Sequence, residues 1–405
     1  MDDIEPPFYN PFQDGYMENP WPHYDEMRRL EPVHLSLGAR WFVFRYADVA
    51  RLLRDPSLSV DVNMVEFVDE DREATITAAY GPEGDVSTSL LAIDPPDHTR
   101  LKRLVMKAFT PTTVSAMRPY VEQRVREIFD AIEDRGSGDI VTELAYRLPA
   151  DTVAQMLGVP DDEKDQMATW SSALAKTLDP IMSDEEAHAA VRAELDMHER
   201  LRIIVEQKRS DLGDDVLSGM IRAQEDGDQM TTQEICDQAE LIFSAGHETT
   251  MNLLSLGVYE MMRHPDQAEI WRDDPSVGPN AVEELLRFAS PVQYSRRVTV
   301  EDIEVGNETI PKHHFMMMGL ASANRDPDMW GPTADQLDLR REGASKQLSF
   351  GGGQRYCLGA ALARLEGEVA IGEFVRRFPD AHVVGEPEWN GRINLRGLEH
   401  LKITT

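Results

Sequence analysis

Apolar residues recur three and four positions apart through the middle of the chain. HTRLKRLVMKAF, VEQRVREIFDAIEDR, TVAQMLGV, ELDMHERLRIIVEQKRSDL and QEICDQAELIFSAGHETTMNLLSLGVYEMMRHP all carry that spacing, which gives a helix one apolar face. It predicts a helical body over about 97–290, and the pattern after the second cysteine predicts a further helix over about 358–378. Ahead of this body, VHLSLGARWFVFRY reads as two short strands around Gly38, and ADVARLLRDP as a helix stopped at Pro56. Residues 59–85 lose all period and include a Gly-Pro at Gly81 and Pro82, the pattern of a long lid-like excursion. Past the body, VTVEDIEVGNETI alternates around Gly306 and Asn307 as a hairpin, and INLRGLEHLKI reads as another. The β-rich parts are therefore about 30–60, 296–320 and 380–405. No Gly/Ser-rich or Pro-rich linker divides the chain, so the expectation is mainly α, one large domain over 1–405 with small sheets near both termini.

Composition narrows the partners. Of 405 residues, 41% are hydrophobic and 28% charged, the mix of a globular protein with a substantial core. Against 41 Lys and Arg stand 73 Asp and Glu, a net charge of −32 that repels phosphate backbones and anionic membranes. Nucleic acid is excluded as a partner on that ground. No apolar run reaches the roughly 18 residues of a membrane span. The start, MDDIEPPFYNPFQDG, has acids and prolines where a signal peptide has a basic end and an apolar run. Two cysteines cannot build a disulfide framework, and the expected compartment is the cytoplasm.

One of those cysteines stands in LSFGGGQRYCLGAALARLE, residues 348–366. A glycine run before a helix suggests phosphate binding, but a P-loop ends in Gly-Lys-Ser/Thr and here Ala360 and Ala361 follow Gly359. The dinucleotide form lacks both its preceding strand and its later acid. Glycines also let backbone N–H groups approach a sulfur, and a following helix adds its positive end, so both favour a thiolate at Cys357. No cysteine at C-x-x-C spacing offers zinc or dithiol chemistry. A buried small hydrophobe, a nucleophile, or an iron ligand completed by a macrocycle all remain open from these residues alone.

The wider frame, Phe350-x-x-Gly353-x-Arg355-x-Cys357-x-Gly359, resembles the haem-binding signature of the cytochrome P450 superfamily, soluble bacterial type. Other motifs of that family follow in order over nearly the whole chain. Ala245-Gly246-His247-Glu248-Thr249-Thr250 is similar to the oxygen-activation motif, in which a threonine hydroxyl bonds the carbonyl a turn back and opens the helix. Its His247-Glu248 is not the zinc-protease pattern H-E-x-x-H, whose second ligand position here is Met251. Glu284 and Arg287 supply the family's E-x-x-R pair, an i,i+3 contact that holds the loop before the cysteine. Aligning ADQLDLRRE places Gln336 where relatives carry a third, cationic member.

The resemblance implies haem b (iron protoporphyrin IX) as cofactor. By the same carry-over Cys357 is the iron ligand, and Glu248 and Thr249 are the catalytic acid–alcohol pair. Ala245, Gly246, Phe350, Gly351 and Gly359 surround the macrocycle, and His98, Lys102, Arg297 and Arg355 hold the propionates. The implied activity is a monooxygenase that activates dioxygen to hydroxylate or epoxidise a hydrophobic small molecule. The implied pocket is lined by residues 59–93, the stretch before Gly246, and residues 291–294 and 393–395. Electrons come from a separate ferredoxin and ferredoxin reductase, which the basic cluster Arg100, Lys102, Arg103 and Lys107 could receive. The expected state is a monomer. Two rival readings are a peroxide-driven haem peroxygenase and a non-catalytic haem ligand-binding protein. Cys236, in TTQEICDQAE, reads as an incidental helix residue.

Overall fold

The computed structural model describes residues 9–36, 40–65, 87–179, 182–225 and 228–405. Most of the expected lid segment and the turn at Gly38 lie outside the described residues.

Ten helices frame the site: α1 Trp21–Leu30, α2 Tyr46–Leu52, α3 Asp97–Ala108, α4 Arg118–Arg135, α5 Arg147–Leu157, α6 Lys164–Ala175, α7 Asp184–Lys208, α8 Thr232–Arg263, α9 Gly278–Ala289 and α10 Ala360–Arg377. The longest, α8, begins in a capping box: the Thr231 hydroxyl accepts the Glu234 N–H, and the Glu234 carboxylate accepts the Thr231 N–H at 2.7 Å. It then runs 32 residues through the middle of the protein with α5, α6, α7, α9 and α10 packed against it. Being surrounded, it is buried on most sides, with polar residues such as Asp237, His247 and Glu248 among its buried positions, which explains why its amphipathic period is weak. The largest apolar cluster follows it, from Ile235 to Met261.

The principal sheet has four strands: β1 Val33–Ser36, β2 Arg40–Val43, β3 Tyr294–Val298 and β4 Phe315–Gly319, in the order β1-β2-β4-β3. The first two form the expected antiparallel pair, β2 runs parallel to β4, and β4 pairs antiparallel with β3. The hairpin around Gly306 and Asn307 is present as Ile303–Val305 against Glu308–Ile310, with Gly306 at φ +60°.

INLRGLEHLKI does not form a hairpin on itself. Leu398–His400 pairs with Glu388–Trp389, while Lys402–Thr404 pairs with His382–Val383 and with the distant Ser137–Asp139. Only Leu401 separates those two strands, too little chain to reverse direction. Gly397 marks a close approach instead of a turn: a Cβ there would stand 1.8 Å from Asn252 Oδ1 on α8.

Candidate functional site

The loop before α10 is held by its glycines, and by different ones for different reasons. Gly351 and Gly353 take left-handed φ of +69° and +63°, which L side chains avoid. A Cβ on Gly353 would lie 2.9 Å from Arg54 Cα and 3.0 Å from the Leu53 carbonyl, and one on Gly352 3.2 Å from Leu53 Cβ. The triplet thus lets the loop press on the chain just past α2, where the sequence suggested an approach to sulfur. Gly359 differs: its φ is an ordinary −81°, and among the described residues a Cβ there would meet nothing nearer than Cys357 Sγ at 4.0 Å. Neither backbone strain nor protein packing demands glycine at that position.

Cys357 donates its main-chain N–H to the Phe350 carbonyl at 3.0 Å, closing the loop. The Gly359 and Ala360 N–H groups point at its sulfur, which burial otherwise pushes to a raised pKa. The residue is nonetheless accessible. Together these describe a sulfur on the wall of an internal space. Phe350 is buried with the Arg364 guanidinium 4.5 Å over its ring, a cation close to the sulfur that sequence reading missed.

Opposite the loop, cations gather. Burial and the charges of Arg355, Lys102 and Arg297 lower the His98 pKa to about 4, so this imidazole is neutral. Burial lowers Arg297 to about 10, with Arg355 adding to the effect and Asp94 opposing it. Among the described residues, Arg297 donates to the Ser295 hydroxyl and the Arg296 carbonyl, at 3.1 and 2.7 Å. Arg355 holds Asp94 Oδ1 at 2.6 Å and the Leu90 and Ile93 carbonyls at 3.1 and 2.8 Å. Lys102 caps the cysteine loop itself, through the Gln354 and Tyr356 carbonyls. Arg355 and Arg297 therefore both feel one carboxylate, Asp94, which the sequence reading did not single out. Arg100 belongs elsewhere: it pairs with Glu234 and with Asp228 at 3.4 Å. The expected basic cluster is split by that pairing, and Arg103 and Lys107 are its exposed members.

On α8, Thr249 donates to the Ala245 carbonyl at 2.6 Å, the bond expected from the motif. The helix stays α-helical throughout, so the expected local opening is absent. Leu241, Ala245 and Thr249 are partly accessible, as are Ser244 and Gly246 beside them; at i,i+4 spacing the first three form one stripe on a surrounded helix, and so look into an internal space. The Cβ direction of Gly246 meets Val153 Cγ2 at 2.9 Å, so its smallness serves the packing of α5 on α8. His247 is fully buried, with its ring nitrogens 3.0 Å from the Tyr146 carbonyl and 3.1 Å from the Ser171 hydroxyl. Glu248 is buried, which raises its pKa, and Arg392 opposes that shift from 3.3 Å. Nothing in the sequence marked Arg392 as its partner.

Glu284 and Arg287 form a wholly buried bidentate pair at 2.7 and 2.7 Å. The third charged member exists, but it is Arg341, whose Nε donates to Glu284 Oε1 at 3.0 Å. Gln336 contributes only its main-chain carbonyl, to Arg287 at 2.9 Å and to Arg341 at 3.0 Å. The alignment misplaced the cation by five residues because the intervening chain turns back, with Asp338 N–H also bound to Glu284 Oε1 at 3.0 Å. Arg287 further holds the Asn324 carbonyl at 2.9 Å, and the Asn324 side chain holds Leu348 N–H and the Ser349 hydroxyl at 2.7 and 2.9 Å. The pair thus reaches the start of the cysteine loop.

A haem fits these residues. The site supplies one sulfur with N–H donors behind it, a glycine whose side-chain space only a ligand would claim, and an excess of cations suited to two carboxylates. Among the described residues no group of His, Cys, Asp and Glu could hold a metal ion by itself, so an iron held by Cys357 takes its other ligands from the macrocycle.

Comparison with known proteins gives a consistent picture. The family model for cytochrome P450 matches residues 62–273 and 279–384. Cytochrome P450 107B1 of Saccharopolyspora erythraea is 35% identical over 97% of this chain and 96% of its own. Vitamin D(3) 25-hydroxylase of Pseudonocardia autotrophica is 37% identical over 97% of this chain and 95% of its own. Among solved structures, P450BioI in complex with an acyl carrier protein ligated to hexadec-9Z-enoic acid superposes with a TM-score of 0.88 at 28% identity, covering 96% of this chain and 98% of that one. Matching in fold and sequence along almost its full length, this chain belongs to the cytochrome P450 family and is a monooxygenase of the bacterial kind.

Proposed function

We propose that this protein, acting as one domain in the cytoplasm, hydroxylates or epoxidises a hydrophobic small molecule with dioxygen and electrons from a separate ferredoxin and ferredoxin reductase. The reading is carried by the Cys357 sulfur, backed by the Gly359 and Ala360 N–H groups and set beside a glycine that no packing contact among the described residues requires. Haem b bound there supplies dioxygen activation, which electron donation from a thiolate favours.

The chain's own residues do the rest. Arg297 and Arg355 hold the propionates with His98 as a neutral donor, while Lys102 fixes the loop that presents the sulfur. Phe350 shields Cys357 from water, and Ala245 and Gly246 border the oxygen-binding face. Thr249 keeps its hydroxyl on the Ala245 carbonyl at the accessible stripe, where it can relay a hydrogen bond, and Glu248 is the adjacent proton store. The partly accessible Leu241 beside Ala245 and Thr249 suits an apolar substrate, in keeping with a relative named for vitamin D(3) and a neighbour solved with an acylated carrier.

The test is the carbon monoxide difference spectrum of the reduced protein, followed by turnover with ferredoxin, reductase and NAD(P)H against peroxide alone. A strongly red-shifted Soret band with turnover only in the reductase system supports this reading. Turnover with peroxide alone selects a peroxygenase, and ligand-induced spin shifts without turnover select a haem ligand-binding protein.

A further inference from the structure

The proposed reaction leaves His247 without a task, although it stands between Ala245 and Thr249 on α8. Its side chain is wholly buried, as is Ser171, which it meets on α6. Nε2 lies 3.0 Å from the Tyr146 carbonyl, which can only accept, so Nε2 carries the ring proton. Nδ1 is then an acceptor, and the Ser171 hydroxyl donates to it at 3.1 Å. Burial lowers the pKa of this imidazole to about 4, with the Tyr146 carbonyl opposing the shift, so the ring stays neutral with its donor and acceptor fixed. The Tyr146 ring stands edge-on to it, 4.7 Å between centroids. Tyr146 is itself set by the π-helical turn Ile140–Ala145 ahead of α5, with its N–H on the Val141 carbonyl at 2.8 Å.

Successive residues of an α-helix stand about 100° apart around its axis, so Ala245 and Thr249 share one edge of α8 and His247 lies on the opposite side of the same turn. The bond from the Thr249 hydroxyl to the Ala245 carbonyl and the two bonds of His247 therefore grip that turn from its two sides. The His247 side is also fitted closely to α5, since a Cβ on Gly246 would stand 2.9 Å from Val153 Cγ2. α6 has a second hold. It continues through the short helical turn Lys176–Leu178, where the Leu178 carbonyl accepts the Asn394 side-chain amide at 3.1 Å and Asp179 Oδ1 accepts the Asn394 main-chain N–H at 2.7 Å. The α6 segment thus bonds to the expected pocket wall at residues 393–395 and, through Ser171, to the back of the turn that carries Thr249.

We propose that His247 is a positioning residue: it clamps the Ala245–Thr249 turn to the Tyr146 carbonyl and the Ser171 hydroxyl, so that the placement of α6 beside the pocket sets the geometry of the turn that faces dioxygen. The inference rests on the monooxygenase reading above and adds to it a route by which the pocket wall and the oxygen side are held in one register. The clamp needs one donor and one acceptor on a neutral side chain. Glutamine offers both, and leucine offers neither while keeping an apolar bulk in the buried site.

The experiment compares the haem-loaded wild type, His247→Gln, His247→Leu and Ser171→Ala by the infrared C–O stretch of the carbon monoxide adduct and by hydrogen exchange at the amides of residues 245–250. His247→Leu should displace the stretch and speed the exchange about tenfold, as expected when a local structure loses two hydrogen bonds. His247→Gln should restore both readouts. Ser171→Ala changes only α6, and should move both in the direction of His247→Leu but by less. A residue that merely supports the fold would lower the urea midpoint in His247→Leu and leave the stretch in place; that result overturns the inference, and so do equal displacements in the leucine and glutamine variants. Should His247→Leu fail to fold, an unmoved stretch in Ser171→Ala overturns it. The Soret position of the wild-type carbon monoxide adduct decides the monooxygenase reading separately, and hydrogen exchange still reads the clamp if that reading fails.

Discussion

Arg341→Ala and Gln336→Ala separate two accounts of the network behind the cysteine loop. Arg341 donates to Glu284 Oε1 at 3.0 Å, to the Thr333 carbonyl at 2.8 Å and to the Gln336 carbonyl at 3.0 Å. Truncating it loses the bond to the Glu284 carboxylate, bonds to the main-chain carbonyls of Trp330, Thr333 and Gln336, and one to the Thr333 hydroxyl. Glu284 is not orphaned, because Arg287 stays bidentate at 2.7 and 2.7 Å and Asp338 N–H remains at 3.0 Å. The cost therefore falls at about 3 kcal/mol, at the lower edge of the range for breaking a buried ion pair. Spread over the unfolding entropy of a chain this long, that is roughly 3–4 °C in Tm. Gln336→Ala keeps the carbonyl that does the bonding and should cost less than about 0.5 kcal/mol. Urea unfolding followed by far-UV circular dichroism measures both. The ratio of the carbon monoxide band to protein measures haem retention, which should fall only in Arg341→Ala, since the network reaches Leu348 and Ser349 through Asn324. Equal costs for the two variants, or a larger one for Gln336→Ala, would refute the assignment of Arg341 as the third charged member.

Gly353→Val should destabilise the fold by several kcal/mol, because a left-handed backbone and the Leu53 and Arg54 wall both forbid a side chain; Gly359→Val should leave urea unfolding of the apoprotein nearly unchanged but reduce haem loading. Cys357→Ser should abolish the thiolate-type carbon monoxide spectrum with the far-UV spectrum retained. Glu366 is fully buried with neither carboxylate oxygen hydrogen-bonded among the described residues, its neighbour Thr152 donating to the Leu148 carbonyl at 2.7 Å, and burial raises its pKa from 4.5 to about 8. The folded chain then keeps a proton that the unfolded chain releases, so this group's contribution to stability falls as pH rises from about 4.5 to about 8. Glu366→Gln should gain little at pH 4 and up to about 5 kcal/mol at pH 8; urea unfolding that shows one constant difference across that range would count against it.

The helices from Asp97 to Arg263 were legible because burial on one face leaves a 3.6-residue period, and the Gly306 hairpin because its turn residues stand between alternating strands. The last segment misled because period alone cannot tell which strand a short apolar run will pair with; Lys402–Thr404 finds Ser137–Asp139 across more than 260 residues. Within the site, Cys357, Thr249 and the Glu284/Arg287 pair stood in local motifs that fix their spacing. Arg341, Asp94 and Arg392 did not, because each acts on its partner through tertiary contact. Arg341 was visible in ADQLDLRRE, but counting along a loop that doubles back put the cation at Gln336. The glycine triplet was read toward the sulfur, though its contacts are with Leu53 and Arg54, residues that no local pattern places nearby.

The electrostatics of the proposed haem site come from the same arrangement. A chain of net charge −32 nevertheless gathers Lys102, Arg297 and Arg355 around a neutral His98, and among the described residues Asp94 is the carboxylate that acts on the two arginines. Burial and the charge of Arg355 lower the Arg297 pKa, and among the described residues no carboxylate is hydrogen-bonded to it. A dianionic edge bound at this place would relieve that repulsion, so part of the cofactor's affinity is stored in the protein as unmatched charge, and binding should stabilise the fold by mass action and by charge relief together. Asp94 moderates the effect by neutralising Arg355, while tying the cysteine loop to Ser59 and Val60 through its two oxygens. Asp94→Asn removes that countercharge and leaves a side chain of the same shape. It should therefore tighten the hold on an anionic macrocycle while loosening the join between the cysteine loop and residues 59–60. Haem transfer to apomyoglobin measures the first effect and hydrogen exchange at Val60 the second; slower transfer with faster exchange is the expected pair. Faster transfer would mean that Asp94 serves chiefly to orient Arg355, and that charge relief is not what holds the propionates.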